Sequence, residues 1–394
     1  MRYDFDKVIP RYGTESYKWD AMDYFFPECP QALPMWVADM DFVCPDEIVN
    51  AIKVRATHPV YGYAYADDSL KVLTAEWQWK QNQWRISSEN ITLSSGIVPA
   101  ICAAIRAYTE IGDGIIIQTP VYYPFMESIE SNYRTAVENP LIYDGERWVM
   151  DIEGFSKAAA MPSTKLFILC NPHNPVGRVF TQKELCAVGE ICVKNDVMIV
   201  SDEIHSDLIF LENRHIPIAS LSKEMANATL TAFSPSKTFN ISGLQASVII
   251  AENPDILRKF EEEMARNYFI MSVFGVTALR AAYGGGCEEY LKELLVYLWD
   301  NYLFVDRFLK EHMPRIKCQK PEATYLLWLD CSELGLSGEN LKEFFLKEAK
   351  VAFDYGKWFS MATDQYMRMN IGCPRATLEA GLRRIKSAYD QHSF

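Results

Sequence analysis

The segment SPSKTFNISGLQ, Ser234 to Gln245, places one lysine, Lys237, between two hydroxyl residues directly after the apolar run TLTAF. A lysine amine at a strand end, next to a cationic ring system, can lose its proton and attack an aldehyde. Serines beside it can hydrogen-bond a phosphate. Taken alone, the same residues also describe an ordinary solvated lysine. Upstream, the run VMIVSDE ends on Asp202. A carboxylate is costly to bury unpaired, so a buried cation is expected beside it. A helix N-cap, or the partner of a buried arginine, would account for Asp202 equally simply. The third segment, CNPHNPVG from Cys170 to Gly177, carries two Asn-Pro pairs and a glycine, which is the chemistry of a turn.

The elements that must position these residues are legible around them. Between about Asn90 and Glu252 short apolar runs alternate with helix-like stretches: NITLSSG, GIIIQTP, KLFILCNP, VMIVSDE, TLTAFSPSK and ASVIIAE. Apolar runs that are continuous, not alternating, belong to a sheet covered on both faces, so the expectation is a mostly parallel α/β sheet. Several runs end in polar clusters (Ser95-Gly96, Thr119-Pro120, Asn171-Pro172, Ser201 to Glu203, Ser234 to Lys237). In open α/β sheets ligands bind beyond the carboxyl ends of the strands, which predicts that these clusters converge. Thr181 and Glu184 form a T-x-x-E capping box ahead of apolar Leu185, Val188, Ile191 and Cys192 at helical spacing. After Gly284-Gly285-Gly286 the texture changes to helices, predicted at Glu288 to Leu309, Gly338 to Lys350 and Thr377 to Tyr389, around a strand pair, ATYLLWLD and MRMNIG. A smaller α+β domain is expected there.

Composition narrows the function classes. The chain has 394 residues and a formal net charge of −13, which argues against non-specific binding to nucleic acid or to an anionic membrane surface. The segment MRYDFDKVIP lacks an apolar stretch of the secretory kind, and nowhere do 18 apolar residues run together, so a cytoplasmic protein is expected. Ten cysteines form no C-x-x-C pair and mostly sit in apolar runs, the pattern of buried reduced thiols, and no metal site is expected.

The order of NPHNPVG, then Asp-Glu at a strand end, then S-x-S-K, resembles the fold-type I pyridoxal phosphate enzymes, and the likeness spans nearly the whole chain. More closely, GTESYKWD, MWVADMDF, YGY, TPVYYPF, SDEIHSDL, SKTFNISGLQ and MRMNIGCPR have the character of the MalY/PatB group of cystathionine β-lyases, or C-S lyases. The resemblance implies an α/β fold: a large domain, residues 46–284, with a mostly parallel seven-stranded sheet, and a small α+β domain, 285–394. An N-terminal segment, 1–45, would pack with the small domain and the active site.

By the same resemblance Lys237 would carry pyridoxal 5′-phosphate as a Schiff base and shuttle the substrate proton. Asp202 would keep the pyridine nitrogen protonated, Asn174 would bind the phenolic oxygen, with His205 near it, and Tyr122 would stack on the ring. Backbone N–H groups around Gly96, Ile97 and Val98, at a helix N-terminus, would hold the phosphate with Ser234 and Ser236. Tyr63 would reach that phosphate from the neighbouring subunit of a homodimer, with Tyr61 close enough in sequence to be confused with it. Arg368 would grip the substrate α-carboxylate by two parallel hydrogen bonds, in preference to nearby Arg375. His205 stands where many aminotransferases carry Tyr, and Gln245 where many carry a phosphate-binding Arg. Both departures fit the lyases. The implied reaction is β-elimination from an L-amino acid with a sulfur leaving group, such as cystathionine or cysteine. The alternatives are an aminotransferase, and a regulatory protein that keeps the cofactor without turnover.

Overall fold

The computed structural model describes residues 2–392 and 394. The chain divides into two compact units, one built from residues 44–174 and 178–291, the other from the residues through Val43, Pro175–Gly177 and Lys292–Phe394.

The larger unit is organised by a seven-stranded sheet: β1 (Ile91–Ser94), β2 (Gly114–Ile117), β3 (Thr135–Glu138), β4 (Thr164–Cys170), β5 (Met198–Asp202), β6 (Thr229–Phe233) and β7 (Ser247–Ile250), in the spatial order β1-β7-β6-β5-β4-β2-β3. Only β7 runs against its neighbours. Two antiparallel steps restore direction, so β1 runs with β6 and its carboxyl end lies at the same edge as those of β2, β4, β5 and β6. The inner strands read as unbroken apolar runs because helices cover both faces. Ile115, Ile117, Leu166, Ile168, Val200, Leu230 and Ile249 pack in one core with α1 (Ile97–Tyr108) and α4 (Pro254–Arg266). The expected capping box is present: Thr181 Oγ1 accepts from Glu184 N–H, and Glu184 accepts from Thr181 N–H at 2.8 Å, opening α2 (Gln182–Lys194).

In the smaller unit β8 (Lys317–Cys318), β9 (Leu326–Asp330), β10 (Asp354–Tyr355) and β11 (Tyr366–Asn370) form an antiparallel sheet in the order β8-β9-β11-β10. The pair expected from ATYLLWLD and MRMNIG is β9 with β11, with Trp328 opposite Arg368. Helices α5 (Glu288–His312) and α6 (Arg375–Tyr389) extend the expected ones by up to a turn, and the helix expected over Gly338 to Lys350 is α-helical only to Glu343 before a π turn over Phe344–Glu348. Asp39, Asp41, Arg11 and Lys18 form a charge cluster near the N-terminus, with Lys18 Nζ donating to Asp41 Oδ2 at 2.8 Å.

Candidate active site

Three adjacent parallel strands, β4, β5 and β6, deliver the chemistry-bearing residues to one edge. Beyond β6, Pro235 starts the single helical turn α3 (Pro235–Thr238) with its ring pre-set for the first helical position. Ser234 caps it: its Oγ accepts from Ser236 N–H at 3.1 Å and donates to Ala246 O at 2.5 Å. The Ser234 hydroxyl proton is thus engaged by the fold, while Ser236 is buried at the start of the turn. Half-buried Lys237 follows, its Nζ 3.5 Å from Ser242 Oγ. Thr238 then donates to Asp207 Oδ2 at 2.8 Å, and Trp77 Nε1–H donates to Asp207 Oδ1 at 3.1 Å. Buried Asp207, its pKa raised by desolvation, pins the turn that carries Lys237. The sequence reading passed over Asp207. Its signal was a third acidic residue in SDEIHSDLIF, set next to the apolar run LIF.

Asp202 ends β5, in register with Cys170 on β4 and Ala232 on β6. Its Oδ1 accepts from Ile204 N–H at 3.1 Å. Burial is nearly complete and pushes its pKa up to about 7; Glu203 pushes the same way, while the Ile204 amide and the Lys237 charge pull back. The adjacent carboxylate is provided for differently. Glu203 accepts from Ser201 Oγ–H at 2.8 Å and lies 2.8 Å from His215 Nε2, all three buried. Asp202 therefore differs from its neighbour in having no side chain hydrogen-bonded or ion-paired to it among the described residues, and a carboxylate so placed suits a cation brought by a ligand.

The Asn-Pro turn is tied to this edge through the backbone. Asn171 N–H donates to Asp202 O at 3.0 Å, and its Oδ1 accepts from Phe180 N–H at 3.1 Å. Tyr122 N–H donates to Asn174 O at 3.1 Å, which fixes half-buried Tyr122 beside the turn, its ring edge-on to Phe125. Asn174 and His205 are both buried. His173, between the two Asn-Pro pairs, is held neutral by burial, its pKa lowered to about 3, with Nε2 at 3.2 Å from Gln118 O, so it belongs to the scaffold. At the end of β1, Gly96 is the N-cap of α1 and has no side-chain cap; its amide and those of Ile97 and Val98 open an apolar 12-residue helix. A Cβ on Gly96 would meet Pro99 Cδ at 3.3 Å, which favours glycine there. Tyr63 lies in a segment of this unit without regular secondary structure, at 96% exposure, whereas the Tyr61 hydroxyl donates to Ala56 O at 2.8 Å.

The remaining candidate, Arg368, belongs to the smaller unit. It is buried on β11, with Nη2–H donating to Trp36 O at 3.0 Å and to Asp354 Oδ2, and its Cζ lies 5.0 Å from the Phe359 ring centre. Asp354 escaped the sequence reading, although a carboxylate inside the apolar run VAFDYG was its signal. Arg375 is held otherwise, by Asn301 Oδ1 at 2.9 Å and over the Phe304 ring at 4.6 Å. All ten cysteines are unbridged, and burial raises the thiol pKa of Cys170, Cys192, Cys331 and Cys373, keeping them protonated. No cluster able to hold a metal ion occurs among the described residues.

The family model for aminotransferase class I and II matches residues 36–385. The chain belongs to this family. Among curated relatives, cystathionine β-lyase PatB of Bacillus subtilis is 43% identical over 98% of this chain and 99% of its own. Among solved structures, a PLP-bound putative aminotransferase from Clostridium difficile is 40% identical with a TM-score of 0.95, covering 98% of this chain and 99% of that one. Cystalysin of Treponema denticola, which contains pyridoxal 5′-phosphate, is 34% identical with a TM-score of 0.96, covering 99% and 100%. The expected seven-stranded, mostly parallel sheet is that of this class I/II family. No helix among the described residues is long and apolar enough to cross a membrane.

Proposed function

We propose that this protein is a pyridoxal phosphate-dependent carbon–sulfur β-lyase that converts L-cystathionine or L-cysteine-type substrates to a thiol, pyruvate and ammonia. The observation that carries the reading is buried Asp202, a carboxylate without an ion-pair partner among the described residues, one strand away from the Lys237 turn. A protonated pyridine nitrogen is the cation that site lacks, so the residues fit the cofactor. The full-length identity to the lyase PatB supports the reaction class.

When bound, the cofactor supplies an electron sink for the pair left by the α-hydrogen. Lys237 would hold it covalently between turnovers and, once released, take the α-proton on its neutral Nζ. Asp202 would keep the ring nitrogen protonated, Asn174 and His205 would bind at the phenolic oxygen, and Tyr122 would pack against the ring. The amides of Gly96, Ile97 and Val98, with the Ser236 hydroxyl, would receive the phosphate, while Ser234, its proton held by Ala246 O, would serve as the cap of the Lys237 turn and not as a phosphate donor. Arg368 would bind the substrate α-carboxylate. As the Cβ–S bond breaks, its electrons leave with the thiolate and the Cα–H pair becomes the Cα=Cβ bond. Water then converts the enamine product to pyruvate and ammonia. An alanine side chain has no such leaving group, so elimination is closed to it and it should transaminate slowly at best.

Lys237→Ala is expected to abolish turnover, and borohydride reduction of the loaded wild type is expected to leave the cofactor on the Lys237 peptide alone. Mapping to another lysine would remove the assignment. The protein works in the cytoplasm as a homodimer in which Tyr63, not Tyr61, reaches the partner's phosphate site. Mixing Lys237→Ala with Tyr63→Phe subunits should restore activity above both parents, because each heterodimer has one site free of both changes. No gain with heterodimers formed would refute the shared site.

A further inference from the structure

We infer that Asp354 is a resident counter-ion of Arg368 which the substrate carboxylate must displace, and that it yields by taking up a proton, so that Asp354 sets the affinity for carboxylate substrates. The inference rests on the reading of Arg368 as the carboxylate site.

Strand register makes the pair. Asp354 on β10 lies directly opposite Arg368 on β11, and both side chains are 2% exposed. A guanidinium offers two faces for two-point binding of a carboxylate, and each uses one of the two hydrogens on Nη2. Trp36 O and Asp354 Oδ2 both accept from that nitrogen. A carboxylate arriving for a two-point grip therefore meets an occupied Nη2 whichever face it approaches. Trp36 O is a backbone carbonyl whose residue is anchored by its own indole N–H on Lys18 O at 3.1 Å, so Asp354 is the ligand with freedom to yield.

Charge gives the reason it yields as an acid. Two carboxylates on one buried guanidinium leave a net negative charge out of water, which is expensive. Asp354 already carries the cost of burial. Desolvation pushes its pKa up to about 6 in spite of the opposing charge and hydrogen bond of Arg368, and its Oδ1 is buried without a hydrogen-bond partner among the described residues. A second anion at Arg368 would raise it further. Arg368 on β11 is the charged group that faces Asp354. Glu28 from the N-terminal segment and Glu339 act on the neighbouring Tyr355 phenol, Lys342 lies 5.3 Å from the Tyr355 ring centre, and Lys357 is exposed.

The test uses the cofactor-loaded enzyme with L-alanine, which has the carboxylate but no leaving group, titrated calorimetrically in buffers of different ionisation heat. At about pH 7.5 wild type should take up close to one proton more per ligand than Asp354→Asn, which keeps an acceptor for Arg368 but does not titrate. In steady state, KM for L-cystathionine in wild type should fall several-fold from about pH 8 to pH 6.5 relative to the variant, with kcat changing little; the substrate amine titrates alike in both and cancels. Equal proton counts and parallel KM profiles would overturn the inference, as would a higher KM in Asp354→Asn at every pH, the mark of a residue that only positions Arg368. Should the variant not fold, wild type alone decides. Extra uptake with L-alanine over L-alaninamide, corrected for their amines, supports the exchange, and equal uptake refutes it. Arg368→Lys binding L-alanine as tightly as wild type would remove the underlying carboxylate assignment itself, together with this inference.

Discussion

Two buried carboxylates, Asp202 in the larger unit and Asp354 in the smaller, have pKa values raised by the same cause, burial, to about 7 and about 6. Their surroundings are opposite. Asp202 has an amide from Ile204 and no ion pair among the described residues, while Asp354 sits against the guanidinium of Arg368. Even that guanidinium does not bring Asp354 back to an ordinary carboxylate value, because desolvation outweighs it. What the contrast teaches is that one buried acid is an empty half of an ion pair, ready for a cation carried in by a ligand, and the other is a complete pair that an anionic ligand must open. Stability arguments about buried ion pairs do not distinguish these cases; the partner list does.

Asp202→Asn breaks the first half of the comparison and carries the largest expected effect. Asparagine cannot hold a ring nitrogen protonated, so kcat of the loaded enzyme should fall on the order of 100-fold or more, the scale of losing one preorganised charge at the reacting centre. A kcat within a few-fold of wild type would mean that Asp202 faces no cation.

Arg368→Ala addresses the second half. Loss of a charged two-point partner should lower kcat/KM by about 2–4 kcal/mol in transition-state stabilisation, while cofactor affinity, read from visible absorption during dialysis, stays as in wild type. An unchanged kcat/KM would move the role to Arg375, whose ties to Asn301 and Phe304 argue against it.

The smallest effect is on stability without cofactor. Asp202 has a folded pKa above its unfolded one, so its contribution favours folding at low pH and is lost as pH rises through about 7. At about pH 8 the cofactor-free Asp202→Asn protein should accordingly be more stable than wild type, by on the order of 1–3 kcal/mol, and the gap should narrow below about pH 7 and close at about pH 4. Thermal melts across that range check it. A variant that is less stable at pH 8 would show that the Asp202 charge is already compensated inside the protein. Activity and stability then move in opposite directions at one residue, as expected where a fold keeps an unmatched charge for its ligand.

How much of this could be read beforehand follows the physics of each signal. Buried parallel strands announce themselves as continuous apolar runs, and six of the seven strands coincide with such runs. The seventh, β3, is an edge strand with the sequence TAVE, exposed at both ends, and shows no run to read. The Thr181–Glu184 box was legible because both partners lie within one turn. Partnerships that depend on tertiary placement were not. Glu203 with His215, Asp207 with Trp77 across 130 positions, and Asp354 with Arg368 are set by strand register and packing. Ser234 shows the same limit: its type suits a phosphate, but its neighbours in space make it a cap.

The central claim, that the electrons freed at Cα leave with sulfur at Cβ, is tested most directly by pyruvate release from L-cystathionine with no 2-oxo acid added. Sustained turnover far beyond one equivalent of enzyme is expected, with homocysteine and ammonia in step with pyruvate. A burst of one equivalent that stalls until a 2-oxo acid is supplied would contradict it and establish transamination instead.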